Sequence, residues 1–505
     1  MAVRHNGDLP AGWAWTTLGE VSTFGPKPEG DKLSPDTQVS FVPMRNVEPL
    51  SGCINLAETR SASEVMRGYT YFEDGDVLSA KVTPCMENGK VAISRGLKNG
   101  IGFGSTEFYV TRPGPGLAPQ YVFFYLIQQT VRSDAKRSMG GAVGLLRVPA
   151  SFLAELELPL PPSTEQRRIV AKIEELFSQL DAGVEELKKA KAQLKRYRQS
   201  VLKAAFEGKL TEDWRKAHKG KVESAAVLLE RIKAERKEAL GSKYKDPPPL
   251  DTSELPELPT GWTWTTAEQL CAFITKGTTP RADKLTSGSG EVPFLKVYNL
   301  TFDGSLDFSV KPTFVTWKTH EGELARSKVY PGDVLLNIVG PPLGKVSIVT
   351  RRHPEWNVNQ AIAIFRPLPG YSLRLLSYCL QTGEVLQRAR KKAKTTAGQS
   401  NLTLEICREL PFPIPPEAEQ GEIVAEVERR LSVADAEEKA IKAALKQAAR
   451  LRQSILKRAF EGRLVPQDPT DEPADRLLER IRAEKAKHTA GLPRGRGRRT
   501  AAAGK

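Results

Sequence analysis

Arg198-Gln-Ser-Val-Leu-Lys-Ala-Ala-Phe-Glu-Gly-Lys-Leu210 returns later in the chain as Arg452-Gln-Ser-Ile-Leu-Lys-Arg-Ala-Phe-Glu-Gly-Arg-Leu464, identical at ten of thirteen positions. Two more segments keep the same spacing. Leu9-Pro-Ala-Gly-Trp-Ala-Trp-Thr-Thr17 pairs with Leu258-Pro-Thr-Gly-Trp-Thr-Trp-Thr-Thr266, and Leu228-Leu-Glu-Arg-Ile-Lys-Ala-Glu235 pairs with Leu477-Leu-Glu-Arg-Ile-Arg-Ala-Glu484. A fixed offset of about 250 residues, half the chain, is the mark of an internal duplication. The fold problem therefore reduces to one copy, written twice.

Each copy opens with a Gly-, Pro- and β-rich stretch. Short strand-like runs such as Asp76-Val-Leu-Ser79, Lys90-Val-Ala-Ile93 and Phe108-Tyr-Val-Thr111 are separated by turn residues, with counterparts at 333–336, 345–349 and 361–365. Helices are expected inside each stretch, over Pro119–Lys136 and Leu373–Lys392. The alternating Trp13/Trp15 and Trp262/Trp264 suit an opening strand with both rings packed. Proline clusters at 159–162 and 413–416 then stop any regular element.

A long helix follows. Ser163-Thr-Glu-Gln supplies a cap residue and an acid for its first turn. Ile173, Leu180, Leu187, Leu194 and Val201 recur every seventh residue; Val427, Ala434, Ile441, Ala448 and Ile455 occupy the second copy's equivalents. Such a heptad predicts helix-on-helix packing, here an antiparallel pair within one chain. From Gln166 to Phe206 is 41 residues. That makes a rod of roughly 60 Å, or roughly 18 base pairs of duplex DNA. The fold class is α+β: two globular α/β domains joined by two long helices in an antiparallel coiled coil, with pseudo-twofold internal repetition. The expected boundaries are 1–160 and 258–412 for the domains and 161–245 and 413–490 for the helical segments. A proline-rich linker spans 246–257 and a basic tail, expected to be disordered, spans 491–505.

With 75 basic against 60 acidic residues, the net charge is +15, which favours a polyanionic partner such as nucleic acid. The helical stretch Ser163–Lys245 shares the bias, with 21 Lys/Arg against 13 Asp/Glu. Five dispersed cysteines suit a reducing cytoplasm, and five dispersed histidines offer no metal-ligand spacing. No apolar run approaches the roughly 18 residues of a membrane span, and the N-terminus lacks a signal-peptide core. Catalytic signatures are missing too. Gly89-Lys90 and Gly344-Lys345 lack the rest of a phosphate-binding loop, and Asp246-Pro-Pro-Pro249 lacks the aromatic of an amino-methyltransferase motif. The expectation is a chain that performs no chemistry of its own and binds neither metal nor cofactor.

Polar loops of the two domains carry the candidate DNA contacts. In the first they are Arg45, Asn46, Lys81, Thr83, Lys136, Arg137, Ser138 and Arg147. In the second they are Lys276, Thr278, Thr279, Arg281, Lys296, Tyr298, Asn299, Asn337, Lys345, Lys394, Gln399, Ser400 and Asn401. Arg and Lys suit guanine edges, Asn and Gln suit adenine edges, and Ser, Thr and Gly amides suit phosphates. Taken singly, each is as readily a turn residue or a solvated charge; the case rests on the set.

These residues together resemble the specificity subunit of Type I restriction–modification enzymes. The carriers are the two Leu-Pro-x-Gly-Trp-x-Trp openings, Gly75-Asp-Val-Leu78 with Gly332-Asp-Val-Leu335, the Pro-Pro-x-x-Glu-Gln segments at 161–166 and 415–420, and the paired Arg-Gln-Ser segments. The resemblance implies two target recognition domains, each reading half of an interrupted, asymmetric site on double-stranded DNA, with the helices as spacer. It implies as partners two modification subunits, which bring S-adenosylmethionine and adenine-N6 methylation, and two restriction subunits, which bring ATP and Mg-dependent translocation and cleavage. It places the chain in the cytoplasm, off the membrane. The alternatives are a solitary specificity-like DNA-binding protein without a nuclease, the recognition scaffold of a methyltransferase alone, a portion of a fused enzyme, and a structural coiled-coil scaffold.

Overall fold

The structure, a computed structural model, describes residues 9–28, 33–142, 144–340, 342–396 and 399–490. The basic tail expected at 491–505 lies outside them. The chain divides into two compact units, one of residues 1–187 and 443–505, the other of residues 188–442. Each contains one globular domain and half of each long helix, because Ser163–Phe206 and Glu417–Phe460 both run from one unit into the other.

In the first unit an antiparallel sheet orders its strands Ser22–Phe24, Phe108–Pro113, Val77–Ala80, Val91–Ile93. A second sheet pairs Gln38–Val42 in parallel with Ile101–Gly104 and adds Thr59–Ser61 and Thr70–Glu73 at its edges. The second unit repeats the plan with Cys271–Lys276, Ile362–Pro367, Val334–Asn337 and Val346–Ile348, beside a sheet built on the parallel pair Val292–Leu295 and Trp356–Val358. Each domain closes on itself: Ala14–Thr17 pairs with Glu157–Leu160, and Thr263–Thr266 with Pro411–Ile414.

The expected internal helices are each broken in two, as Pro119–Leu126 and Gln129–Ser138, and as Leu373–Gln381 and Gly383–Lys392. Gln128 and Thr382 adopt ψ of 139° at the breaks, and the Thr382 hydroxyl accepts from Val385 N to start the second helix. The repeated Arg-Gln-Ser glutamine serves the same joint: Gln453 Oε1 accepts from Gln129 N at 2.8 Å, and Gln199 Oε1 from Gly383 N at 2.7 Å. A side chain of the long helix thus satisfies an amide that a continuous helix would have satisfied itself.

The Trp, Glu-Gln, Gly-Asp-Val-Leu and Phe-Glu-Gly motifs likewise resolve into scaffold contacts. The first tryptophan of each pair precedes its strand and is buried, its indole donating to a buried glutamate: Trp13 Nε1 to Glu165 at 3.0 Å, Trp262 Nε1 to Glu419 at 2.8 Å. The second ring does not pack as expected, Trp15 remaining 38% exposed, because only the first lies in the turn that bends inward. Glu165 stands in the first turn of its helix as expected, with Glu419 likewise in the second helix, and each also faces its domain. Burial pushes the Glu165 carboxyl up from its ordinary range, whereas Glu419 also holds Thr211 and Arg215. The neighbouring Gln166 and Gln420 accept from Ala118 N and Ser372 N at 3.0 and 2.7 Å, where the domain's main helices begin.

The Gly-Asp-Val-Leu motif is a strand staple. Gly75 and Gly332 turn the chain at φ of +95° and +96°, which favours glycine. The next residues, Asp76 and Asp333, are buried against Arg112 and Arg366 in two-point pairs of 2.7–2.8 Å. In the helices, Arg452 reaches Asp181 in one unit and Arg198 reaches Asp435 and Glu438 in the other. Within each unit the two half-helices therefore run antiparallel. Ile173, Leu194, Val201, Val427, Ala434, Ile441 and Ala448 are buried along this seam; Leu180, Leu187 and Ile455 are partly so.

The Phe-Glu-Gly turns fix the ends of the helices. A methyl group at Gly462 would stand 2.2 Å from the Pro10 ring and one at Gly208 2.3 Å from the Pro259 ring, at φ of +66° and +69°. Gly183, inside the first long helix, has no such neighbour within 4 Å. Gly462→Ala and Gly208→Ala are each expected to lose about 1–3 kcal/mol of stability. Gly183→Ala should gain about 0.5–1 kcal/mol. Calorimetric unfolding of the three variants checks the opposite signs.

Candidate nucleic-acid interface

At one end of each domain's antiparallel sheet, three or four loops meet beneath a two-stranded hairpin. In the first unit the hairpin is Gly140–Ala142 with Leu145–Arg147, and it leaves the helix whose last turn carries Lys136 and Arg137. It docks through Thr83 N to Leu146 O at 3.0 Å and Val148 N to Lys81 O at 2.8 Å. Lys81 N in turn donates to Glu107 O at 3.0 Å, which brings the 105–107 loop to the same edge. In the second unit the hairpin is Lys394–Thr396 with Gln399–Asn401. Leu402 N donates to Ile338 O and Ile338 N to Ala361 O, both at 2.9 Å. Thr279 Oγ1 accepts from Gln360 N at 3.2 Å and adds the 276–281 loop.

The structure gathers Lys81, Thr83, Lys136, Arg137, Ser138 and Arg147 around the first hairpin. Thr83 Oγ1 accepts from Leu146 N and Ser138 Oγ donates to Ala135 O, so both hydroxyls are engaged locally. Lys136 pairs with Glu87 at 2.8 Å, and Arg137 with Asp134 on its own helix; both remain largely exposed. Arg147 lies against Glu107, whose carboxyl the guanidinium holds below the usual glutamate range. Arg45 and Asn46 sit in a separate turn. Arg45 pairs with Glu58 at 2.6 Å and is exposed, while Asn46 donates to Asn55 O at 3.0 Å.

Around the second hairpin, Lys276 and Arg281 are exposed and have no ionic partner among the described residues. Thr278 Oγ1 accepts from Arg326 Nε at 3.1 Å. Lys394, Gln399 and Ser400 lie on the hairpin strands, their side chains outside the described set; Asn401 closes its second strand.

Four candidates of the second unit hold the backbone instead. Asn299 is buried, its amide donating to Asp307 O and Val310 O while its Oδ1 accepts from Lys296 N. Asn337 is also buried, donating to Pro342 O at 3.0 Å and accepting from Lys345 N at 2.6 Å. Both are buried with their amide hydrogens spent on backbone carbonyls, so neither presents an edge to a base. Lys345 Nζ donates to Val297 O at 3.2 Å, and Tyr298 OH lies 3.3 Å from Lys311 O. The half-buried Lys296 flanks the same turn. Glu107 and Gln360 also reach the interface; neither stands out in the sequence, one being an acid and the other a lone amide, and only the correspondence of the two copies marks them.

One group of possible metal ligands occurs among the described residues: His320, Glu321 and Glu355, with ligand atoms within 4.8 Å of one another. Asn357 Nδ2 donates to His320 Nδ1, so Nε2 carries the hydrogen given to Glu355 at 2.6 Å. Lys328 Nζ lies 2.6 Å from Glu321 and 3.5 Å from Glu355, supplying the positive charge. No helix among the described residues is long and apolar enough to cross a membrane.

The family model of the Type I restriction modification DNA specificity domain matches residues 10–196 and again 259–447. The EcoEI Type I restriction enzyme specificity subunit of Escherichia coli is 29% identical over 479 residues, 85% of this chain and 79% of that protein. The EcoAI specificity subunit of Escherichia coli is 32% identical over 314 residues, 53% of this chain and 52% of that protein. A solved chain described under complex assembly and conformational transition of the type I R-M system shares the fold with a TM-score of 0.61, at 21% identity. That likeness covers 90% of this chain and 100% of the other.

The division between scaffold amides and surface cations is measurable. Asn337→Ala is expected to destabilise the second unit by about 1–3 kcal/mol, since it strands a backbone carbonyl and amide. Lys276→Ala and Arg281→Ala should leave unfolding unchanged and each lower the salt slope of duplex-DNA binding by about one. Paired denaturation and salt-titration curves read both quantities.

Proposed function

The chain belongs to the Type I restriction–modification DNA specificity family, and we propose that it reads a two-part DNA site, one part with each unit, on behalf of catalytic partner subunits. As a specificity subunit its own part is recognition, and the chemistry belongs to those partners. The observation that carries the two-part reading is a single clasped fold built twice with different loops at the same sheet end. Two similar readers with unlike contact residues fit two unlike half-sites. A few two-point contacts per unit, each worth about 1–3 kcal/mol, suffice for useful discrimination.

In this reading the 44-residue helices act as the spacer. At about 1.5 Å per residue each is roughly 66 Å long, long enough to hold two readers on separate stretches of one duplex. Two modification subunits bring S-adenosylmethionine and methylate adenine N6, and two restriction subunits bring ATP and Mg for translocation and cleavage. In this reading the chain itself binds none of these groups. The relatives' names as specificity subunits of Type I restriction enzymes support the partnership.

Single-molecule sequencing of host DNA for N6-methyladenine tests the reading. A two-part motif with an unspecified gap should vanish when the gene is deleted. Removing Leu187–Gln193 together with Ala440–Lys446, one heptad from each helix between the cross-helix ion pairs, should shorten that gap by about three base pairs. An uninterrupted motif, or a gap that ignores the deletion, would contradict the proposal.

A further inference from the structure

Backbone hydrogen bonds put the two copies in register at the interface. Lys81 N donates to Glu107 O and Ile338 N to Ala361 O, so Glu107 corresponds to Ala361 and Lys81 to Ile338. The bridges Val82–Arg147 and Val339–Asn401 make Arg147 the counterpart of Asn401. A carboxylate, a guanidinium and an ammonium in the first copy therefore stand where the second has a methyl, a carboxamide and an aliphatic chain. The scaffold contacts are alike in both copies: the Trp–Glu clasp, the Asp–Arg staple and the glutamine at each helix joint. An identical scaffold does not require this difference.

The geometry of the first-copy cluster is specific. Arg147 meets Glu107 side-on, Nε lying 3.0 Å from Oε2 and Nη2 2.7 Å from Oε1. A guanidinium has five N–H donors. The pairing consumes Nε–H and one Nη2 hydrogen, and leaves the Nη1 hydrogens and the other on Nη2, the outer edge of the fork, unspent. Two parallel donors on that edge match the O6 and N7 acceptors of guanine. The Arg147 side chain is 45% exposed at the end of the hairpin's second strand, so a ligand can reach it. Lys81, with Nζ 5.3 Å over the Tyr109 ring, lies close enough to stabilise the Glu107 charge and keeps the cluster net positive. Fixing the guanidinium beforehand removes most of the rotamer freedom that binding would otherwise cost.

We propose that Arg147 reads a G·C pair within the half-site of the first unit and that Glu107 is its positioning residue, an inference that rests on the DNA-reading function above. Asn401, beside which the register places Ala361 in the position of Glu107, does not share this preference.

The test is the N6-methyladenine motif in cells carrying the intact enzyme with Arg147→Ala, Arg147→Lys or Glu107→Gln. Arg147→Ala should relax one G·C position in one half of the motif, with a drop in discrimination of about ten- to a hundredfold, and leave the other half intact. Arg147→Lys, which cannot make the forked contact, should relax the same position. Glu107→Gln should keep the base but discriminate less, with the defect confined to that position. Loss of modification spread evenly over all sites, with an unchanged motif, would assign Arg147 to the phosphates and overturn the proposal. A fully retained motif would overturn it too. If the unaltered enzyme shows no two-part motif, the DNA-reading function fails and not merely the residue assignment.

Discussion

Everything in this molecule hangs on the hydrogen bond from a tryptophan indole to a buried glutamate, made once in each unit. Trp13 belongs to the chain as it arrives at the first domain and Glu165 to the helix as the chain leaves it; Trp262 and Glu419 repeat the arrangement. A buried carboxylate is costly unless its acceptors are filled. The indole, Gln467 at the first site and Thr211 and Arg215 at the second fill them. Arrival and departure are thereby held at one point and reinforced by a pair of strands and by a proline ring on a glycine. Between them lie about 150 residues whose ends are fixed.

That constraint explains how one fold can carry two different surfaces. Once both ends are clasped and the sheets stapled by Asp76–Arg112 and Asp333–Arg366, loops at the far end of the sheet bear little of the load. They can differ freely in charge and hydrogen-bonding capacity, as 105–107 and 359–361 do. Loops positioned by a rigid frame are where recognition is usually found. Each long helix contributes its first half to one unit and its second half to the other, so the elements that stiffen the domains are also those that join them.

Much of the frame was legible in the sequence because it was written twice. The repeat, the proline stops, the heptads and the motif glycines are patterns in residue order, and each marks a packing demand that both copies must meet. The reading surface was harder to see. Asn299 and Asn337 have the composition of base readers, yet their amides lock turns; an asparagine suited to one task is equally suited to the other, and only burial separates them. The helix breaks at Gln128 and Thr382 were invisible for a related reason. The glutamines that make them tolerable, Gln453 and Gln199, are far away in the chain. Glu107 escaped because an acid is an unexpected member of a DNA-binding surface until its arginine is seen beside it.

On the function proposed above, the interior of each clasped domain determines one half of the DNA site and nothing else. Replacing residues 18–156 by residues 267–410, while keeping both native clasps and both long helices, gives a chain with two copies of the second reader. The methylation pattern it directs should contain the second half-site twice, at the original separation. If the original asymmetric motif persists, or both halves change to something new, recognition does not reside in the domains as described.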